Sequence, residues 1–372
     1  MERVGVGVVG CGIGAWHIEG FSEDPRADLV AIAGLDTDRC IELATKHNVP
    51  NIYSDYHQLL ERADVSAISI AVPNHLHVPI GLDAIAAGKH VLMEKPLARN
   101  AAEGQILVDA AEAAGLVLGI IFNRRARADM QILRDRIDAG DLGTIYHAKA
   151  FWRRRSGIPG LGTWFTSKEM AGGGPLIDLG VHVLDMVLWA MNDPHVSTVS
   201  AATYAELGKQ GVGQWRGGRF RENLDAAYEV EDLAVAFMRT VDGASIFLEA
   251  SWASHASDTD DFGIYLLGDR GGAELHVKDY ATVDTLRFFT SKNGALFDSS
   301  PRLFAKVPSA GHAEVISTFL DSVVHGTPMS PSGRDGLART LLIDSIYQSA
   351  ADMREINLDA NLDQSGAIGH VN

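Results

Sequence analysis

The sequence predicts a two-part protein. Residues 1–124 read as an α/β domain on a doubly wound parallel sheet, and residues 125–372 as an α+β domain on a mainly antiparallel sheet. Three observations carry this. Apolar β-rich runs alternate with helical segments through the first third, which implies right-handed βαβ units. Beyond about residue 124 strand-like runs follow one another through hairpin turns. The chain has 372 residues, 46% of them hydrophobic, enough to bury two cores.

The elements follow in order. Residues 3–9 are a short β-rich run, and 15–22 can form a helix. Strand 29–35 leads to a helix over 36–47 with acids in its first turn. Strand 67–72 is ended by Pro73-Asn74, and helix 79–87 is stopped by Gly88, a natural residue just past a helix end. Strand 90–93, helix 101–114 closed by Gly115, and strand 116–121 complete the alternation. In the second part, strands 231–239 and 245–253 flank Asp242-Gly243, and 262–267 and 273–277 flank Gly268-Asp269-Arg270-Gly271, with 285–290 after them. Helices are expected over 175–191 and 312–325, and a last one over 333–354 packing across the molecule. The Gly-rich stretch 208–218 reads as a loop.

Composition narrows the function. A net charge of −16, from 48 acids against 32 bases, repels nucleic acid and anionic membranes, so neither is an expected partner. No run approaches the ~18 uninterrupted apolar residues of a membrane span. The opening MERVGVGVVG starts a strand at once, without the basic and apolar regions of a secretory leader. The two cysteines, Cys11 and Cys40, lack metal spacing and make no disulfide framework, which predicts the cytoplasm. No cluster has metal-ligand spacing, so no metal is expected.

The stretch GCGIGAWH after the first strand places a glycine turn where a pyrophosphate docks on a helix N-terminus. Asp36 ends the second strand about 20 residues on, placed for a ribose 2′-hydroxyl. The other role open to Asp36 is the N-cap of the following helix. With no Arg or Ser directly after it NAD is favoured, while Arg39 leaves NADP open. Pro73-Asn74 and Glu94-Lys95-Pro96 fall just past two further strand ends, the edge where open α/β sheets bind ligands. Proline biases Lys95 toward extended backbone, holding its ammonium over the cleft, where burial lowers an ammonium's pKa.

The order Gly10-Cys11-Gly12, Pro73-Asn74-x-x-His77, Ala87-Gly88-Lys89-His90-Val91, Glu94-Lys95-Pro96 and Gly172-Gly173-Gly174-Pro175-Leu176-Ile177-Asp178-Leu179-Gly180-Val181-His182-x-x-Asp185 resembles the glucose–fructose oxidoreductase / inositol dehydrogenase (Gfo/Idh/MocA) family over essentially the whole chain. The resemblance implies an N-terminal Rossmann domain and a C-terminal α+β domain with a large open sheet, through which dimers or tetramers form. It also implies hydride transfer between a hydroxyl of a sugar, inositol or related compound and a nicotinamide cofactor. The expected cofactor-binding residues are Gly10, Gly12, Ile13, Gly14, Asp36, Pro73, Asn74, His77, Glu94, Lys95 and Asn123. The glycine turn departs from the pattern. Either Ala15 takes the third glycine's place or Gly14 closes a turn one residue tighter, and only the tighter turn puts the family's histidine at His17.

The 175–191 segment supports the resemblance independently. Asp178, His182, Asp185 and Trp189 recur at i, i+4, i+7 and i+11, one stripe on an otherwise apolar helix. A helix apolar all round is buried, so polar groups on it need partners or a cleft. Asp178 can orient and charge-stabilise His182 as a general base. In the implied reaction His182 removes the hydroxyl proton, hydride passes to nicotinamide, and Lys95 hydrogen-bonds the same oxygen. Arg155 and Trp164 are the expected sugar-binding residues beside these three. The RRRSGIPG-x-G-x-W stretch is most similar, within the family, to sugar 3-dehydrogenases and inositol dehydrogenases. The alternatives are NAD-assisted glycoside cleavage or isomerisation, and a non-catalytic NAD(P) sensor.

Overall fold

The computed structural model describes residues 3–215, 227–256, 260–302 and 311–359. These divide into two compact units, one of residues 3–127, 169–172 and 311–341, the other of residues 128–168, 173–306 and 342–359 as far as described.

The first unit alternates β1 (Val4–Val9), α1 (Gly14–Glu23), β2 (Ala27–Ala33), α2 (Thr37–His47), β3 (Asn51–Tyr53), α3 (Tyr56–Leu60), β4 (Ala67–Ile70), α4 (His77–Ala86), β5 (His90–Met93), α5 (Ala101–Ala113) and β6 (Leu118–Ile120). Its six strands are parallel in the order β3-β2-β1-β4-β5-β6, so the winding reverses between β1 and β4. β1 and β4 are buried along their whole length, as the strands of a sheet covered on both faces must be. Lys89, although charged, is buried because its ammonium donates to the Arg62 and Val65 carbonyls at 2.9 and 2.7 Å. Later chain also joins this unit. Val315, Ile316, Phe319 and Leu320 of α9 (His312–His325) enter the core of Val4, Val6, Val8, Ile18 and Phe21.

The second unit holds α6 (Ala128–Asp138), β7 (Ile145–Arg154), α8 (Val181–Ala190), β8 (Val196–Tyr204), β9 (Leu233–Thr240), β10 (Ser245–Ser251), β11 (Asp260–Gly268), β12 (Gly271–Lys278), β13 (Leu286–Lys292), β14 (Ala295–Ser299) and β15 (Ile356–Asn357). The single turn α7 (Lys168–Ala171) and the long α10 (Gly333–Asp352) belong partly to each unit, α10 dividing between Leu341 and Leu342. Nine strands run β14-β13-β12-β11-β7-β10-β9-β8-β15, all antiparallel except the central β7–β10 pair. The run Lys168–Ala190 has the length and apolarity of a membrane span, yet 89% of its most apolar 18-residue window is buried inside the protein, which makes it a core element.

Two departures from the sequence reading matter for the site. The central strand β7, IYHAKAFWRR, was not expected as a strand, because His147, Lys149 and Arg153 put charged and polar side chains on one of its faces and mask the apolar run. The segment 175–191 is not uniformly α-helical either. It opens with a π-turn over Leu176–Gly180, and π-turns occur frequently at functional sites. The loop reading of 208–218 falls partly outside the described residues, which stop at 215.

Candidate active site

In the first unit, the expected cofactor residues gather at the carboxyl edge of the parallel sheet. Gly10 has φ +101°, and a Cβ there would stand 2.1 Å from the Ala71 carbonyl oxygen, so only glycine fits between β1 and β4. Gly12 is exposed with nothing within 4 Å of a built Cβ, an open cradle of the kind a pyrophosphate needs. Gly14 is the first residue of α1, and a Cβ on it would lie 3.2 Å from Ala71 Cβ and 3.5 Å from Val8 Cγ1. It therefore fills the third glycine's packing role, and the turn is the tighter of the two alternatives.

Helix ends agree with this placement. α2, α3 and α5 carry side-chain caps from Asp36, Asp55 and Asn100. α1 and α4, which follow the two strands where the winding reverses, carry none and have no acid in the first turn. Their N-termini keep positive character for an anion. These residues fit NAD: Gly12 and the start of α1 would hold its pyrophosphate. Asp36 is exposed and caps α2 by accepting from the Arg39 amide at 3.1 Å through Oδ1. Its N-cap role is thus real, and a carboxylate has a second oxygen for a ribose. Arg39 pairs with Glu42 at 2.6 Å.

Other members of the expected set lie beneath the edge. His77 is wholly buried, and its Nδ1 and Nε2 face the Pro96 and Val72 carbonyls at 2.7 and 2.9 Å. Asn74 donates to the Ala171 carbonyl at 2.8 Å. Asn123 is buried, with Gly311 (φ +80°) against its carbonyl. Glu94 is the centre of a buried cluster. Its Oε1 accepts from Nε2 of His17 at 3.0 Å and of His312 at 3.2 Å, and its Oε2 accepts from the Lys95 amide at 3.1 Å. Burial works to raise its pKa, but the two imidazoles outweigh that and hold the carboxyl well below its ordinary value. Burial pushes His17 down, against the pull of Glu94, so this ring is neutral and its Nδ1 accepts from the Ser69 hydroxyl at 2.7 Å. Sequence spacing could not reveal this group, since its members stand 77 and 218 positions apart. The donor atoms of His17, Glu94 and His312 lie within 4.8 Å of one another. Glu94 Oε1, shared by both imidazoles, brings these atoms together. Lys95, between Glu94 and Pro96, is half-buried.

In the second unit, a chain of polar contacts surrounds the helix start. The Trp252 indole donates to Asp178 Oδ2 at 2.9 Å, and the buried His182 ring lies 5.5 Å from the Trp152 ring. Trp152 Nε1 and Arg154 Nε donate to the two oxygens of Asp260 at 2.6 and 2.8 Å. A further Arg154 nitrogen donates to the Tyr280 hydroxyl at 2.8 Å. Burial presses the Arg154 pKa down, yet Tyr280, Asp260 and Asp178 together hold it above the ordinary value. Asp279 and Tyr280 both have left-handed backbone, φ +45° and +59°, a strained pair of non-glycine residues that delivers the hydroxyl to Arg154. Trp164 stacks on Phe165 at 3.8 Å, and Phe165 meets the Trp252 ring edge-on at 6.4 Å.

Arg155 is exposed, and its carbonyl accepts from Ser254. Arg154, held by Asp260 and Tyr280, is the arginine whose charge Asp178 helps to stabilise. Strand alternation explains this: Trp152 and Arg154 share one face of β7, and Arg153 turns to the other face, where it pairs with Asp261 at 2.7 Å. Knowing that 145–154 was a strand would have selected Arg154.

Comparison with known proteins agrees with the two-domain fold. Residues 4–122 match the family model described as an oxidoreductase family with an NAD-binding Rossmann fold, and residues 130–274 match the GFO/IDH/MocA C-terminal domain. D-glucoside 3-dehydrogenase of Escherichia coli (strain K12) is 30% identical over 95% of this chain and 97% of its own. The protein belongs to the Gfo/Idh/MocA family. It is an NAD-dependent oxidoreductase with an N-terminal Rossmann domain. GenD2 from gentamicin A biosynthesis, solved in complex with NAD, is 27% identical with a TM-score of 0.77, covering 96% of this chain and 97% of that one. Levoglucosan dehydrogenase in complex with NADH and L-sorbose shares the fold at 23% identity and a TM-score of 0.85, covering 96% and 99%.

Proposed function

We propose that this oxidoreductase oxidises a secondary hydroxyl of a sugar, glycoside or inositol, with C3 of a pyranose as the reacting position. The observation that supports it most is the polar group around Asp178 and His182, set into an otherwise apolar buried helix of a Gfo/Idh/MocA chain. The near-full-length likeness to a D-glucoside 3-dehydrogenase favours the same substrate class. His182 takes the hydroxyl proton as general base, Lys95 stabilises the oxygen as it gains alkoxide character, and Asp178 keeps His182 oriented and its positive form stabilised. Bound NAD supplies the hydride acceptor. Arg154, Tyr280 and Trp164 offer donors and an aromatic face to sugar hydroxyls and ring carbons, and Arg155 adds a second arginine at the exposed side of the same stretch. A dehydrogenase among its near relatives favours net oxidation over NAD-assisted cleavage or a sensor role. A cytoplasmic homodimer or homotetramer is the expected form.

The test follows NADH formation at alkaline pH over inositols, hexoses, anhydrosugars and glycosides. A glycoside or hexose oxidised with accumulating NADH is the expected result. Lys95→Met should lower kcat roughly 10²–10³-fold and His182→Ala roughly 10²–10⁴-fold. Sugar release without NADH would transfer the assignment to the cleavage reaction.

A further inference from the structure

Three glycines, Gly172 to Gly174, precede the π-turn that carries Asp178, and the side chains they admit come from far along the chain. A Cβ on Gly173 would stand 2.0 Å from the Tyr347 hydroxyl oxygen, and one on Gly174 would stand 2.2 Å from the Glu231 carbonyl oxygen. Glu231 is only 7% exposed. Its carboxylate accepts from the amides of Gly174 and Leu176 at 3.0 and 3.1 Å and from the Tyr347 hydroxyl at 2.8 Å. Burial pushes the Glu231 carboxyl up from its ordinary range, while those three donors work to keep it ionised. Burial and the neighbouring Glu231 drive the Tyr347 phenol well above its ordinary value, so it remains a donor.

We infer that Glu231, seated by Tyr347, is a positioning residue that fixes the helix start bearing Asp178 and His182 and raises the proton affinity of His182. The inference rests on the reading of His182 as the general base. The two amides that Glu231 accepts from belong to the N-terminus of the helical run, where the backbone dipole is positive and disfavours an imidazolium. An anion at that terminus offsets the dipole. His182 lies six positions beyond Leu176, about 9 Å along a helix axis, so the offset is on the order of one pH unit in a half-shielded interior. Other charged and titratable groups stand on the same helical run and on the elements packed against it. Asp178 and Asp185 share the helical run with His182, while Arg154 and Asp260 come from β7 and β11, with Tyr280 beyond them. Tyr228 and Asp232 adjoin Glu231. Glu231 bonds two of the helix-terminal amides directly.

Glu231→Gln keeps the size and an acceptor oxygen but removes the charge, and Tyr347→Phe removes one donor. Two readouts are taken on the full-length protein: the pH profile of kcat/KM for NADH formation, and the titration of the His182 ring by NMR. Losing the anion weakens the base, so both the acidic limb of the profile and the ring titration should move to lower pH by about one unit in Glu231→Gln. The plateau should fall as well, with NADH affinity unchanged. Tyr347→Phe should show a smaller shift in the same direction. Unmoved ring titrations in both variants would overturn the inference. A shifted ring titration with an unmoved kinetic limb would instead remove His182 from the role of base, and with it this account.

Discussion

Asp36 carries two duties on one carboxylate, and they can be separated. Its Oδ1 caps α2, while its position past β2 suits a ribose hydroxyl. Asparagine caps a helix about as well as aspartate but lacks the charge that repels a 2′-phosphate. Asp36→Asn should leave thermal stability within about 0.5 kcal/mol of the parent, raise KM for NAD and raise the NADP/NAD ratio of kcat/KM. A drop in stability with unchanged cofactor preference would leave the cap as its only duty. Glu94 invites a different measurement. Its carboxyl is held well below the ordinary value in the folded protein, so its contribution to stability is complete above the range where an unfolded glutamate titrates, about 4.3. That contribution fades as pH falls from there toward the folded pKa. Glu94→Gln should flatten this part of the acid-unfolding curve, followed by circular dichroism. Identity as an edge residue was legible for Glu94, since Glu94-Lys95-Pro96 follows a short strand. Its partners were not, because His17 and His312 arrive from helices distant in the chain.

Elements were legible where period and punctuation agreed. β5 begins after Gly88-Lys89 and ends before Glu94, and α9 is bounded by glycines at both ends, Gly311 and Gly326. β7 was illegible because one of its faces carries charge, and with the strand went the alternation that selects Arg154 over Arg155. The π-turn was hidden for another reason: a polar stripe at helical spacing looks the same whether or not one turn is widened. Between elements, the glycine turn makes the firmest prediction. At Gly10 an alanine would be left-handed at φ +101° and would strike the Ala71 carbonyl at 2.1 Å. Left-handed backbone alone costs about 1–2 kcal/mol. Gly10→Ala should therefore lower the melting temperature and weaken NADH binding together, as scanning calorimetry and fluorescence titration can check. Gly12→Ala, in open space, should spare stability and weaken binding alone.

At the scale of the molecule, NAD binding links the chain's stability to ligand concentration. At 100 times Kd the folded state should gain about 2.7 kcal/mol, read as a rise in melting temperature. Hydrogen exchange should place the strongest protection in β1, the glycine turn and β4. The first unit also takes in α9, which lies after all but the last strand of the second sheet in sequence yet sends Val315, Ile316, Phe319 and Leu320 into the core beside β1. Each such side chain contributes about 1.5–3 kcal/mol when buried. Order of synthesis therefore conflicts with order of structure. A ribosome releases the six parallel strands long before it makes the helix that closes one side of their core. Until then a strip of apolar surface waits for a segment made some two hundred residues later. In that interval the nascent nucleotide-binding half exposes apolar surface of the kind chaperones bind.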